Sequence, residues 1–335
     1  MNNFFVSSTN RVMQKAIRAT LAYYELTGAG TSILWKPRPD GKMWKTSQGL
    51  NPVFIDLKRL NIEPFIRGRL LFQVMGYFLS AHEGIKKARK AYLKEIKTSH
   101  KKSEKADSSL WEEVKDRAES LGVGLVGFAP VDDNLIFTTD HSGKIDFLYE
   151  NAIVLGMEMD FSHIQDAPGP KAGLEAQRVY AQLGIATNKI ADFIRSRGYG
   201  AIACHPYGGP ALYPAMAVRA GLGQMGRHGM LISKKFGPRQ RLSMITTNAG
   251  PLPETKKEDL GISEFCEKCG LCIKKCPVGA IYQKPVKKQS STVSCVDHEK
   301  CGTFFYDHDG CSVCIKSCPF HKNGYGKIMR KKGKA

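Results

Sequence analysis

Nine of the chain's ten cysteines fall between Cys266 and Cys318, and no other feature restricts the fold as strongly. The first run is Cys266-x2-Cys269-x2-Cys272-x3-Cys276-Pro277, and the second is Cys311-x2-Cys314-x3-Cys318-Pro319. Three thiols spaced by two residues wrap a loop around several corners of one inorganic core, while a fourth, set ahead of proline, points away from it. Zinc sites use two separated CxxC or CxxH pairs instead. Disulfide frameworks belong to exported chains. The N-terminus, MNNFFVSSTNRVMQKAIRATLAYYELTG, has neither the short apolar core of a secretory signal nor a twin-arginine pair. The spacing therefore predicts iron–sulfur ligation in a reducing compartment, and a cytoplasmic location is expected.

In bacterial two-cluster ferredoxins, the fourth cysteine of each run ligates the other cluster. That rule assigns Cys266, Cys269, Cys272 and Cys318 to one [4Fe–4S] cluster, and Cys276, Cys311 and Cys314 to a second. The second run is incomplete, because His308 stands three residues before Cys311. Cys301, Cys295 and His308 are candidates for the missing ligand. Cys301 is preferred, since the eight residues before Gly310 are expected to form a loop long enough to fold back. Cys295 is then a free thiol, and Cys204, in an apolar strand, packs as a small apolar residue. Two clusters make a wire. A wire needs an external low-potential donor, such as a ferredoxin or flavodoxin, and a terminus in the preceding residues.

The 335 residues are enough for two domains. A boundary is expected near Ser108. Residues 1–107 form a basic, mostly helical region ending in a solvated helix (83–107) that fades into a linker. Residues 108–255 form the substrate domain, 256–326 the cluster domain and 327–335 a basic tail. Net charge follows this division. Residues 1–107 hold twenty Lys/Arg against eight Asp/Glu, six more basic residues follow from Lys322 on, and the remainder is nearly neutral. Such flanks suit nucleic acid, anionic lipid or an acidic electron donor, or else a merely solvated surface. No run of eighteen apolar residues exists, so no integral membrane segment is expected. A helix is predicted from Ser108 or Ser109, one of them the N-cap, to about Ser120. Strands are predicted at 123–131, 152–160, 199–204 and in the segments MLISKKFG and RLSMITTNAG. The strongest helix is 171–197, with Val179, Leu183, Ala186, Ile190, Phe193 and Ile194 at spacings of three and four. These elements make an α+β or α/β fold.

Residues 220–252, AGLGQMGRHGMLISKKFGPRQRLSMITTNAGPL, are followed by the CxxCxxCxxxCP run and then by KC ahead of CxxCxxxCP. With ADFIRSRGYGAIA before them, they resemble the corrinoid-dependent reductive dehalogenases and their relatives, the epoxyqueuosine reductases of tRNA modification. The resemblance covers about residues 108–325. It implies an α+β, nitroreductase-like core that holds cobalamin with its lower base detached, followed by a two-[4Fe–4S] ferredoxin-like domain. No DxHxxG motif offers a cobalt-ligating histidine, which suits that mode. Gly221, Gly223, Gly226 and Gly229 would let backbone approach the corrin ring, with Arg227 among the cofactor-binding residues. The family is similar in using a tyrosine proton donor beside a basic residue that stabilises its anion. The matching positions are Tyr180 and Arg241, or its neighbour Arg239. Tyr207, Tyr213 and His205 stand in the loop HPYGGPALYP, expected to line the substrate site. The epoxyqueuosine reductases use an Asp ahead of the AGLG helix, yet this loop has no acidic residue, which counts against tRNA chemistry. The chain also lacks the helical-repeat extension many of those enzymes carry, while the respiratory dehalogenases carry an export signal that is missing here. The reading is a cytoplasmic cobalamin- and iron–sulfur-dependent reductase acting on a small organic molecule. A tRNA-modifying enzyme and a corrinoid-free electron-transfer protein are the alternatives.

Overall fold

A computed structural model describes residues 71–98, 104–137, 139–140, 143–144, 148–255, 258–287, 293–308 and 310–330. Most of the basic N-terminal region and the last five residues of the tail lie outside them. Four antiparallel strands form the central sheet: β1 (Leu125–Pro130), β2 (Asn151–Glu158), β3 (Ala201–Cys204) and β4 (Gln240–Thr247). Their order is β1-β2-β4-β3. Successive side chains on a strand point to opposite faces. Ile153 and Leu155 therefore enter one apolar layer, and Ala152 and Val154 the other. A strand covered on both faces reads as an unbroken apolar run, which is why β2 shows no alternation.

The first face is covered by α3 (Pro170–Ser196), whose Val179, Leu183, Ala186, Ile190 and Ile194 are buried against the sheet. Pro170 opens the helix where its missing N–H costs nothing. Beside it packs α2 (Ser109–Ser120) through Leu110, Trp111, Val114 and Ala118, and the Trp111 indole donates to the Pro251 carbonyl at 3.0 Å. Neither serine caps α2 as expected. The Asp107 carboxylate takes that place and accepts from the Ser109 N–H at 3.0 Å. On the opposite face lies α4 (Tyr213–Arg219), with Tyr213, Met216 and Ala217 buried.

The stretch read as a solvated helix and linker (83–107) begins as the second half of α1 (Leu71–Thr98), and that half is not solvated all round. Ala81, Ala88, Tyr92 and Glu95 are buried. The Gly84 carbonyl accepts from Asn188 of α3 at 3.0 Å, Lys87 pairs with Asp192 at 2.6 Å, and Tyr149 donates to Glu95 at 2.6 Å. Past it, Glu104–Lys105 pairs in parallel with Ala249–Gly250. The exposed lysines hid this face, because they fill only its outer side.

The cysteine-rich region consists of α5 (Ile262–Cys269), α6 (Leu271–Lys275), a hairpin of β5 (Ile281–Lys287) and β6 (Val293–Val296), α7 (His298–Asp307), α8 (Val313–Ser317) and α9 (Pro319–Arg330). α6 and α8 are counterparts. Each is five residues long and ends at a cysteine held extended, at φ −65° and −66°, by the proline that follows. The region docks on the sheet domain through Gln224, which donates to Asp259 at 2.9 Å and accepts from the Ile262 N–H at 3.0 Å. A second bond runs from Lys316 to the Ala167 carbonyl at 2.7 Å. Among the described residues, no helix is long and apolar enough to cross a membrane.

Candidate redox site

The thiols form two adjoining groups. Cys272 and Cys318 each feel the charge of Cys266, and Cys269 acts on both Cys266 and Cys272. In the second group Cys314 feels Cys311, Cys301, Cys272 and Cys276, and Cys301, Cys311 and Cys276 act on one another in turn. Burial pushes Cys272 and Cys301 up to about 11, Cys318 up to about 12 and Cys314 higher still. Alone, such thiols stay protonated; bound iron supplies the positive charge that holds them as thiolates. Backbone donors are already aimed at the sulfurs. The N–H of Arg227 serves Cys266, Val313 serves Cys311, and Phe320 and His321 serve Cys318. The Ala280 N–H meets Cys276 Sγ at 3.2 Å. These donors and buried thiols fit an iron–sulfur cluster. Among the described residues no three His, Cys, Asp or Glu side chains converge as a single metal ion requires. A cubane sets each thiolate on a different iron, so its ligands ring a larger volume.

The three candidates for the last ligand are separated. Cys301 joins the second group. Cys295 lies instead beside Cys266 and Arg227. His308 is exposed, stacked on Phe304 with ring centres 3.6 Å apart. Cys301 reaches its group from α7, a helix where a loop was expected, because the Asp297 carboxylate caps it by accepting from the Lys300 N–H at 3.2 Å.

At one end of the sheet, α3, β4 and the loop after β3 bring Tyr180, Arg241 and Tyr207 together. The Arg241 guanidinium carbon stands 4.7 Å from the Tyr180 ring centre. The Tyr207 ring meets Tyr180 edge-on at 5.3 Å and 83°. Tyr180, Tyr207 and Arg241 are all half-buried, and the buried Nε of Arg241 has no hydrogen-bond partner among the described residues. Arg239 faces elsewhere, pairing with Glu158 and lying over the Phe161 ring at 5.5 Å. The Tyr213 hydroxyl donates to the His205 carbonyl at 2.8 Å, and the His205 ring is buried against Gly184 of α3.

Gly221, Gly223, Gly226 and Arg227 follow α4. Gly221 closes that helix at φ 71°. A side chain at Gly223 would run into the Ile232 carbonyl, and one at Gly226 would lie 2.6 Å from His228. At both glycines the place a side chain would take is filled by the chain itself. Arg227 and His228 each keep a buried nitrogen without a partner, Nη1 and Nε2. Corrinoids carry peripheral amides and a phosphate, acceptors for such donors, so the side chains of Arg227, His228 and Arg241 fit that group, whereas Gly223 and Gly226 offer it no surface. The sequence reading passed over His228, and also the buried Glu175, which accepts from Arg178 at 2.6 and 2.7 Å and from the Asp160 N–H at 2.6 Å. The signal was Glu175 and Arg178 three residues apart on one helix.

A family model described as "4Fe-4S binding domain" matches residues 262–282, which include Cys266, Cys269, Cys272 and Cys276. The tetrachloroethene reductive dehalogenase of Desulfitobacterium hafniense is 33% identical over 199 residues, 56% of this chain and 36% of that protein. Its namesake from Sulfurospirillum multivorans is 37% identical over 183 residues, 52% of this chain and 36% of that protein. An epoxyqueuosine reductase of Lactococcus garvieae is 31% identical over 118 residues, 32% of this chain and 31% of that protein. The chain thus spans about a third of these relatives' length. A solved structure titled "Reductive dehalogenase structure suggests a mechanism for B12-dependent dehalogenation" shares the fold, with a TM-score of 0.61 and 21% identity over 70% of this chain and 36% of that one. The relatives of this chain are the reductive dehalogenases and epoxyqueuosine reductases, the superfamily its sequence resembles.

Proposed function

We propose that the chain is an oxidoreductase that passes electrons through two [4Fe–4S] clusters to a corrinoid, which reduces a small organic substrate by removing halide or a similar leaving group. The observation that carries this reading is the Arg241–Tyr180–Tyr207 assembly. A tyrosine that gives up its hydroxyl proton becomes negative, and a guanidinium over its ring favours that charge. Tyr180 is the proton donor, Arg241 the cation that supports its anion, and Tyr207 the neighbour that fixes the ring. Arg227, His228 and Arg241 would hold the corrinoid through their unpartnered nitrogens. When bound, it supplies a low-potential cobalt centre. Cys266, Cys269, Cys272 and Cys318 hold one cluster, and Cys276, Cys301, Cys311 and Cys314 the other. Electrons enter from a low-potential carrier such as ferredoxin or flavodoxin, in the cytoplasm.

The test is halide release from small halogenated molecules by anaerobic protein supplied with cobalamin and a reduced viologen. Release by wild type, with a rate that falls in Tyr180→Phe, is expected. An unchanged rate in Tyr180→Phe removes the tyrosine from this role. A second reading, action on tRNA, has one observation in its favour: Lys86, Lys90, Lys94 and Lys97 are exposed along one side of α1. Phosphate contacts would make tRNA binding fall steeply with salt. Binding that is absent at low salt dismisses it.

A further inference from the structure

The two groups of thiols meet the surface differently. In the first, Cys272 and Cys318 are buried, and the segment behind Cys318 is pressed onto the sheet domain: a side chain at Gly237 would lie 2.6 Å from the Phe320 carbonyl. In the second, Cys276, Cys301, Cys311 and Cys314 each keep some exposed surface. Hydrogen bonds knit that second group together. The Cys276 sulfur accepts from the Ala280 N–H at 3.2 Å, and the Ala280 carbonyl accepts from the Asp297 N–H at 2.7 Å. Asp297 caps α7, which carries Cys301 one turn on and Phe305 one turn beyond it. The Phe305 carbonyl accepts from the Gly310 N–H at 2.9 Å, directly ahead of Cys311. Cys301 and Phe305, four residues apart, share one side of the helix, and Phe305 is exposed.

Charge separates the two groups as well. Lys274 and Lys275, just ahead of Cys276, and Lys284 on β5 are exposed and form no ion pair among the described residues. Lys300, directly ahead of Cys301, reaches Asp297 at 3.8 Å. Against these four cations stand Asp297 and Glu299 among the described residues, while Lys316 is turned inward onto the Ala167 carbonyl. By contrast α5, which carries Cys266 and Cys269, sets Glu264 and Glu267 against Lys268 alone, and Glu264 holds that lysine at 3.1 Å. Behind Cys318, Lys322 is the one lysine of α9 ahead of the kink at Gly324. Three exposed apolar side chains share the elements of the unpaired lysines: Leu271 opens α6, Val286 lies on β5 and Phe305 on α7.

We propose that this face of the second cluster is where an acidic one-electron carrier protein docks, with Lys274, Lys275, Lys284 and Lys300 as its basic rim and Phe305 as its apolar centre. This rests on the two-cluster reading above and names the place where its electrons enter. The carrier loses one electron and is oxidised, and the second cluster becomes one unit more negative; no bond forms or breaks. Lysine heads stay hydrated and attract an acidic surface from a distance, which speeds encounter more than it tightens the complex. The exposed aromatic and aliphatic side chains supply the small dry contact that a brief complex needs. From there electrons pass to the first cluster, two of whose ligands are fully buried.

The experiment mixes the full chain, without oxygen, with a fully reduced acidic flavodoxin and follows oxidation of the flavin by stopped-flow absorbance. The rate should fall steeply with added salt. At low salt, Lys274→Glu/Lys275→Glu should slow it roughly tenfold or more. Reduction of the same variant by reduced methyl viologen, a small molecule that needs no docking face, should keep its wild-type rate. So should flavodoxin oxidation by Lys105→Glu/Lys189→Glu, which reverses two exposed lysines of the sheet domain. A wild-type flavodoxin rate in Lys274→Glu/Lys275→Glu overturns the proposal, and so does an equal loss in the sheet-domain variant or with viologen. If the double variant fails to take up iron, Lys284→Glu, away from every cysteine in sequence, replaces it, and a wild-type flavodoxin rate there is equally fatal. Wild-type protein that never takes up about eight iron refutes the two-cluster reading instead.

Discussion

The sheet domain and the cysteine region are held together by different means. Around β2 and α3, Ile153, Leu155, Leu183, Ile190 and Ile194 are fully buried, each stabilising the fold by about 1.5–3 kcal/mol relative to exposure. The cysteine region has a far smaller interior: Ile262, Phe320 and Met329, with Leu260, Ile232 from the segment ahead of β4 and the Cys318 thiol itself. Its helices α6 and α8 are single turns. A region so short of apolar burial needs another source of stability, and metal bound only by the folded state supplies it. The sheet domain is thus a scaffold that folds by burial, and the cysteine region is expected to depend on iron for its order.

Cys314→Ala should have the largest effect, because it removes a ligand that no neighbour replaces. Iron should fall from about eight to about four per chain, amide exchange in residues 298–308 should become fast, and β2 and β4 should stay protected. Full iron retention would contradict the ligand set, and loss of protection in the sheet would contradict the comparison. Tyr180→Phe comes next. Turnover should fall about 10²–10⁴-fold, the range for a lost proton donor, with iron and cobalt contents unchanged by metal analysis. Leu183→Ala should cost about 2–5 kcal/mol in thermal or denaturant unfolding, while the surviving folded fraction keeps its full iron. The smallest effect is Glu175→Gln, about 1.5–3 kcal/mol, from weakening the charge-assisted hydrogen bonds between Glu175 and the half-buried Arg178.

Glu175 also gives a pH dependence. Burial pushes its carboxyl up, but hydrogen bonds from Arg178, the Asp160 backbone and His163 outweigh this and leave it below the usual carboxylate value. The folded form therefore binds its proton more weakly than the unfolded chain. That stability is present above the unfolded value of 4.5 and is lost as pH falls through the lower folded one. Acid unfolding curves of wild type and Glu175→Gln should converge below that point.

Local patterns were legible in the sequence, and long-range choices were not. The stripe Val179–Leu183–Ala186–Ile190–Ile194 is α3, now Pro170–Ser196, since apolar spacing of three and four has one helical reading. Apolar NAIVLGME is an inner strand, because only a strand covered on both faces reads that way. The first cysteine run is likewise legible, since its ligand loop is written in nearly consecutive residues and a 4Fe-4S binding domain model matches it at residues 262–282. Strand order is absent from any single segment, because register depends on partners far along the chain. The buried face of α1 was missed for a different reason. In its second half Ala88, Tyr92 and Glu95 recur at helical spacing, but the lysines between them dominate the composition. At the other end of the sheet, Tyr180 and Arg241 are 61 positions apart, and only the pairing of β4 beside α3 brings that arginine, rather than Arg239, over the ring.

The most direct test is the metal content of protein purified without oxygen and offered cobalamin during expression or reconstitution. The account predicts about eight iron and one cobalt per chain. Eight iron with no retained cobalt would contradict it, leaving a pair of clusters with no corrinoid to reduce.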